Sequence, residues 1–321
     1  MYGAMIGDYV GSIYEWNNIK TKDFPLVQET KCFLTDDSYM TIAVAQACAN
    51  WPKHHDLEAF TADVQFEMIR IGRTYPNEGY GGSFFRWLFS RRPRPYRSCG
   101  NGSAMRVSPC GFAADTLEDA EALAEASAMP THNHPEGIKG AKATAAAIFL
   151  AQSGYTQEEI GAYIRENYYP LAENLEEIRA HYTFDGTCQG TVPQAIQAFL
   201  ESTSFEDAIR NAISLGGDSD TLAAITGGIA EAYYGIPTEL RDVLMRVILR
   251  SCFKEERDII RHFRHCYGGR FHITCADTIK WKMCYGRNTP PVGVVRRKAR
   301  LKAQAEAAAN TNNNKEEQKH D

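Results

Sequence analysis

The chain has 321 residues and a mass of 35.9 kDa, with 35 Lys and Arg against 40 Asp and Glu for a formal net charge of −5. At 44% hydrophobic and 23% charged residues it reads as a globular protein with length enough for a sizeable core, and no apolar run approaches the ~20 residues of a membrane span. Nine scattered cysteines without a Cys-x-x-Cys pair argue against a disulfide framework or zinc ribbon, and with no basic-then-apolar leader at Met1 they point to a reducing cytoplasm.

In chain order, a first helix begins almost at Met1. Thr35-Asp36-Asp37 then opens a helix over Ser38–Ala49. Loops rich in Gly, Pro and Asn follow at Tyr75–Gly82 and Arg91–Asn101. Alanine-rich segments with apolar residues three to four apart predict helices over Leu117–Ala128, Gly140–Gln152 and Gln157–Asn167. Tyr182–Phe184 is the best candidate for a short strand. Further helices are expected over Val192–Leu200, Phe205–Ser214 and Thr221–Tyr234, the last carrying Leu222, Ile225, Ile229 and Tyr233 on one face. No repeat of 20 to 50 residues is present. The expected architecture is all-α.

Charge divides the chain. Residues 1–260 carry 22 basic and 35 acidic side chains, whereas residues 261–302 carry 11 basic side chains against Asp277 alone. An acidic catalytic body over 1–260 is therefore expected to bear a basic extension over 261–302. The last stretch, 303–321, has no aromatic and no aliphatic residue larger than Ala, which predicts a disordered tail. The basic extension, with Trp281 and Tyr285, raises nucleic-acid binding as a question, but the acidic body opposes it.

Two acidic clusters, Thr35-Asp36-Asp37 and Asp218-Ser219-Asp220-Thr221, each stand at the start of a predicted helix. Helix capping explains one acceptor per helix. Each cluster instead offers two carboxylates and a threonine hydroxyl. Brought together, four carboxylates would repel unless cations neutralised them. A donor set of oxygens alone favours Mg²⁺, Mn²⁺ or Ca²⁺ over zinc, and four carboxylates make a two-metal site plausible. The run Gly100-Asn101-Gly102-Ser103 is either a plain turn or a loop whose backbone approaches phosphate oxygens.

With Gly3-Ala4-Met5-Ile6-Gly7-Asp8 through Glu15, Thr35-Asp36-Asp37, Gly100 through Arg106, Thr131-His132-Asn133-His134-Pro135-Glu136-Gly137 and Leu215–Thr221 in this order, the chain resembles the ADP-ribosylglycohydrolases of the dinitrogenase-reductase-activating and ADP-ribosyl-acceptor hydrolase type. The resemblance covers residues 3–235. It implies a compact orthogonal helical bundle with a central cleft holding two Mg²⁺ ions, Mn²⁺ being a possible substitute. It also implies hydrolysis of the glycosidic bond at C1″ of the distal ribose, releasing ADP-ribose from a modified protein. Free conjugates such as O-acetyl-ADP-ribose, or a non-catalytic ADP-ribose reader, are the alternatives.

By that resemblance Thr35, Asp36 and Asp37 hold one metal, Asp218 and Thr221 the other, and Asp220 bridges. Glu15, Asp36 and Asp220 are the expected catalytic carboxylates. Gly100, Asn101, Gly102, Ser103, Met105 and His132 are the expected substrate contacts, while Asp8 is read as a structural cap. His132-Asn133-His134 does not read as a nuclease motif, because a helix follows it and no strand pair precedes. His262, His265 and Cys266 read as a solvated helix face. No membrane partner is expected, and the residues do not identify the acceptor linkage or the oligomeric state.

Overall fold

The expected helices form because most of their starts carry a side chain that satisfies a free backbone N–H. Thr116, Asn174, Thr187 and Ser204 each accept from the third residue of the helix they open, and Thr156 and Glu159 form a reciprocal capping box. The computed structural model describes residues 1–267, in fifteen α-helices and no strand among those residues. They are α1 (Tyr2–Gly11), α2 (Asp36–His54), α3 (Leu57–Thr74), α4 (Gly82–Leu88), α5 (Gly102–Met105), α6 (Ser108–Ala113), α7 (Leu117–Ala128) and α8 (Pro135–Gln152). After them come α9 (Gln157–Asn167), α10 (Leu175–His181), α11 (Cys188–Leu200), α12 (Phe205–Ile213), α13 (Ser219–Tyr234), α14 (Thr238–Ser251) and α15 (Lys254–Tyr267). None is long and apolar enough to cross a membrane.

The core lies where α1 and α13 cross. Every residue of α1 is buried, as is α13 from Ser219 to Ala230. Gly3, Gly7 and Gly11 recur four apart and therefore share one face of α1. A Cβ on Gly3 would stand 2.1 Å from the Gly227 carbonyl oxygen, and one on Gly7 2.0 Å from that of Ala223. A Cβ on Gly11 would stand 2.5 Å from the Asp220 Cα. Any side chain larger than hydrogen would push the two backbones apart. The alanines of α8, among them Ala141, Ala145 and Ala147, give a second narrow buried helix beside α13.

Two expectations change. Tyr182–Phe184 is not a strand: Tyr182 caps the end of α10, donating its N–H to the Ile178 carbonyl, and no strand stands beside it among the described residues. The nearest β feature is an isolated antiparallel bridge between Gly100 and Thr187. The expected boundary at 260 falls inside α15, whose Ile259, Ile260, Phe263 and Tyr267 are buried. Tyr267 donates to the Cys48 carbonyl of α2 at 2.8 Å, and buried Glu256 accepts from Arg70 at 3.1 Å and from Tyr75 at 2.9 Å. These contacts make α15 part of the body. The rest of the basic extension and the 303–321 tail lie outside the described residues. Helix α3 was also not anticipated, although Phe60, Val64, Met68 and Ile71, all buried, carry helical spacing. No disulfide forms among the described residues.

Gly7→Ala is expected to lower stability by about 2–3 kcal/mol, the cost of overpacking a closed helix contact. Gly81→Ala, where a Cβ meets nothing within 4 Å, is the control and should leave the melting temperature unchanged or slightly raised. Equal thermal unfolding of the two variants would contradict the role given to the glycine face.

Candidate active site

Four segments meet at the end of the α1–α13 contact. The turn after α1 carries Glu15, the start of α2 carries Thr35-Asp36-Asp37, α5 carries the glycine-rich loop, and the start of α13 carries Asp218 and Asp220. Asp8, buried inside α1, fastens the second of these to the first. Its carboxylate accepts from the Thr35 N–H at 3.0 Å, the Thr35 hydroxyl at 2.6 Å, the Ser38 N–H at 3.2 Å and the Ser38 hydroxyl. Asp8 is thus a cap for α2 rather than for its own helix. Burial lifts its carboxyl to about 6, against the pull of those four donors.

The start of α13 is shaped by Gly216 and Gly217, both left-handed at φ +70° and +72°. Asn18 holds the turn, accepting the Gly217 N–H at 2.8 Å and donating to its carbonyl at 3.0 Å. Asp218 occupies the N-cap position but makes no capping bond. Its Oδ2 instead accepts from Asn101 Nδ2 at 2.7 Å. At α2 the capping oxygen belongs to Thr35, which accepts from the Asp37 N–H. The carboxylates of Asp36, Asp37 and Asp218 are therefore not consumed by helix capping, and Asp220 uses one oxygen on the Thr221 N–H at 3.0 Å.

One oxygen each of Glu15, Asp218 and Asp220 lie within 4.8 Å of one another. Asp37 joins them through Thr221, whose hydroxyl donates to Asp37 Oδ2 at 3.2 Å, while Asp37 Oδ1 is buried with no partner. Burial, then the Asp218 charge, pushes Glu15 up to about 7. Burial and the neighbouring carboxylates hold Asp36, Asp37 and Asp220 well above the ordinary carboxylate range. A buried acceptor without a donor and three converging carboxylates are what a hard cation would satisfy, so the donor set fits one. Thr35 Oγ1 already donates to Asp8 and accepts from Asp37, which leaves it one lone pair.

These groups line a cavity of about 670 Å³, inside the ~300–1,000 Å³ range of small-molecule sites. Thr35, Asp36, Asp37, Asp218, Asp220, Thr221 and Glu15 all face it, as do Gly100, Asn101, Gly102, Met105 and His132. Ser103 does not. Its hydroxyl is buried and donates to the Gly137 carbonyl at 2.7 Å, so the expected contact of this side chain with substrate is replaced by a core hydrogen bond that ties α5 to α8. The Asn101 side chain is likewise engaged, bridging Asp218 and Thr191. Its part is to orient a carboxylate.

Sequence reasoning missed the mouth. Trp16 is 77% exposed and stacks on Phe184 at 5.4 Å, and both line the cavity with Phe33. Exposed large aromatics beside a cleft are the available signal, but exposure is not visible in a sequence. Asn18 was missed for a similar reason, since its partner Gly217 is 199 positions away. Of the aromatics over Tyr80–Trp87, Phe84 faces the cavity while Trp87 is buried against it at 5.4 Å. His262 and His265 stand on the exposed side of α15, as the sequence indicated.

The chain is similar to known proteins in sequence and in fold. A profile of the family described as ADP-ribosylglycohydrolase matches residues 1–268. Human ADP-ribosylhydrolase ARH3 is 28% identical over 346 residues, spanning 82% of this chain and 91% of that protein. The ADP-ribosylarginine hydrolase Tri1 of Pseudomonas putida (strain GB-1) is 28% identical over 201 residues, spanning 60% of this chain and 52% of that protein. A solved structure described as an ADP-ribosylglycohydrolase-related protein complex superposes with a TM-score of 0.59 at 24% identity, covering 83% of this chain and 97% of that one, and so shares the fold.

The raised carboxyls set a pH dependence. Carboxyls with elevated values in the folded state bind more protons there than in the unfolded chain between their ordinary and folded values, so they lower stability as pH rises through that window. For Glu15 it runs from 4.5 to about 7. Cation-stripped protein is therefore expected to melt at a lower temperature near pH 8 than near pH 5.5. Added Mg²⁺ or Mn²⁺ should raise the melting temperature more at the higher pH. A cation effect equal at both pH values in thermal scans would contradict a carboxylate site.

Proposed function

The chain belongs to the ADP-ribosylglycohydrolase family, and on that premise we propose that it is a divalent-cation-dependent hydrolase that cleaves the glycosidic bond between ADP-ribose and an acceptor and releases ADP-ribose. The observation that carries this reading is the meeting of Glu15, Asp218 and Asp220 with Asp36 and Asp37 in one cavity that glycine backbone and a buried histidine also line. Two Mg²⁺ ions, or Mn²⁺ in their place, would be held by Asp36 and Asp37 with the spare lone pair of Thr35, and by Asp218, Asp220 and Thr221. Such cations supply charge neutralisation and a lowered pKa for water.

The chain's own residues do the rest. The carboxylate end provides a negative field where positive oxocarbenium character develops at C1″ of the distal ribose. Glu15 is half-buried and its carboxylate converges with Asp218 and Asp220, a position suited to take a proton from an attacking water or give one to the leaving group. Asn101 holds Asp218 in one orientation through its 2.7 Å bond. Gly100, Gly102 and His132 form the wall along which the pyrophosphate would lie, because a backbone without Cβ atoms admits close approach.

Asp220→Asn keeps shape and hydrogen bonding but removes the charge at the centre of the cluster. It is expected to cut release of ADP-ribose from arginine-linked and serine-linked peptides by about 10²–10³-fold, as for loss of one group in an electrostatic cluster at the reacting centre. EDTA should do the same to the native chain. Turnover of the variant near that of the native chain, on either linkage, would remove the assignment.

A further inference from the structure

Beside the glycine wall, and itself lining the cavity, lies a charged group that the mechanism above does not use. Arg106, at the end of α5, is fully buried, and no carboxylate pairs with it among the described residues. Its Nη2 donates to the Ser127 carbonyl at 3.2 Å and to the Thr131 hydroxyl oxygen at 2.9 Å. That same oxygen lies 2.7 Å from His132 Nδ1. Both Thr131 and His132 are buried and held by their backbones, with N–H groups donating to Ala128 at 3.1 and 2.7 Å and the Thr131 carbonyl accepting from Ser98 at 3.3 Å.

The direction of this chain is fixed by its first member. A guanidinium has no acceptor, so Thr131 must accept from Arg106. The threonine hydroxyl then has one proton to place, and Nδ1 of His132 is the acceptor beside it. Were the histidine to donate instead, the buried hydroxyl proton would have no partner, at a cost of about 1–3 kcal/mol. Nδ1 is therefore the acceptor, and the ring proton sits on Nε2. That nitrogen faces the cavity wall, 3.1 Å from where a Cβ on Gly102 would be and 3.6 Å from one on Gly100.

We propose that Arg106 and Thr131 are positioning residues that lock His132 in the Nε2–H tautomer, making it a fixed hydrogen-bond donor to an oxygen of the substrate and not a proton acceptor in the reaction. Burial and the positive charge of Arg106 oppose protonation of the ring, so it remains a single-proton donor throughout the working range. Burial lowers Arg106 only to about 10, so the guanidinium keeps its charge at neutral pH. The role of Gly100 and Gly102 follows as well: a side chain at either would cover the donor. The identity of the oxygen rests on the reading of the cavity as an ADP-ribose site, whereas the tautomer does not.

The full-length chain, labelled with ¹⁵N-histidine and with His132 assigned by comparison with His132→Gln, tests the lock without any substrate. Long-range ¹H–¹⁵N spectra are expected to show a protonated Nε2 and a bare, hydrogen-bonded Nδ1; a proton on Nδ1, or an even mixture, overturns the proposal. Thr131→Val removes the hydroxyl and should mix the tautomers, while Thr131→Ser should keep the native pattern. In titrations with free ADP-ribose, Thr131→Val should weaken Kd about tenfold, the worth of one directed hydrogen bond to a charged group, and Thr131→Ser should restore it. An unchanged Kd in Thr131→Val alongside mixed tautomers would overturn the donor role. No ADP-ribose binding by the native chain, with the tautomer as expected, would count against the substrate reading and leave the lock standing.

Discussion

Two helices that approach to backbone contact fix the rest of this structure. Gly3, Gly7 and Gly11 let α1 lie against Ala223, Gly227 and the first turn of α13 with no side chain between them. Helix axes are ordinarily kept ~8–10 Å apart by side chains at the contact. Removing those side chains brings the turn after α1 onto the first turn of α13. Glu15 thereby comes within reach of Asp218 and Asp220, while Asp8 ties the same helix to the start of α2. A wider spacing of α1 and α13 would draw Glu15 away from the two aspartates.

The carboxylates divide into two kinds by how they are satisfied. Asp8 is surrounded by four donors from Thr35 and Ser38, and serves the fold. Asp37 keeps a buried oxygen with no donor, and Glu15, Asp218 and Asp220 converge with too few donors to offset their repulsion. Burying unpaired negative charge costs stability, and proteins retain such an arrangement where something else completes it. The structure thus separates a capping aspartate from a functional one by donor count, where sequence spacing treats them alike.

The cavity lining has two polar parts. One is a cluster of carboxylates that attracts positive charge. The other is glycine backbone and His132, with the positive charge of buried Arg106 beside them. A molecule with a sugar at one end and anionic phosphates at the other has the matching polarity. The exposed rings of Trp16 and Phe184 stand on the carboxylate side of the mouth, beside Glu15.

Much of this was determined by local sequence. The capped helices α7 and α9 match the spans read from the sequence, because N-caps and three-to-four spacing act within a single turn. The carboxylate clusters were legible because their excess over capping need is a local fact. What the sequence did not determine depends on partners far along the chain. Tyr182–Phe184 has strand-like residues but no strand to pair with among the described residues, and Ser103 sits in a substrate-like loop yet turns its hydroxyl to Gly137. Asn101 is drawn to Asp218 across 117 positions, and α15 continues past 260 because the body offers its apolar face a place to bury. Local preferences are set by neighbours within a few residues, whereas the direction of a buried polar group is set by whichever donor or acceptor the packed helices bring beside it, and only the tertiary structure supplies that.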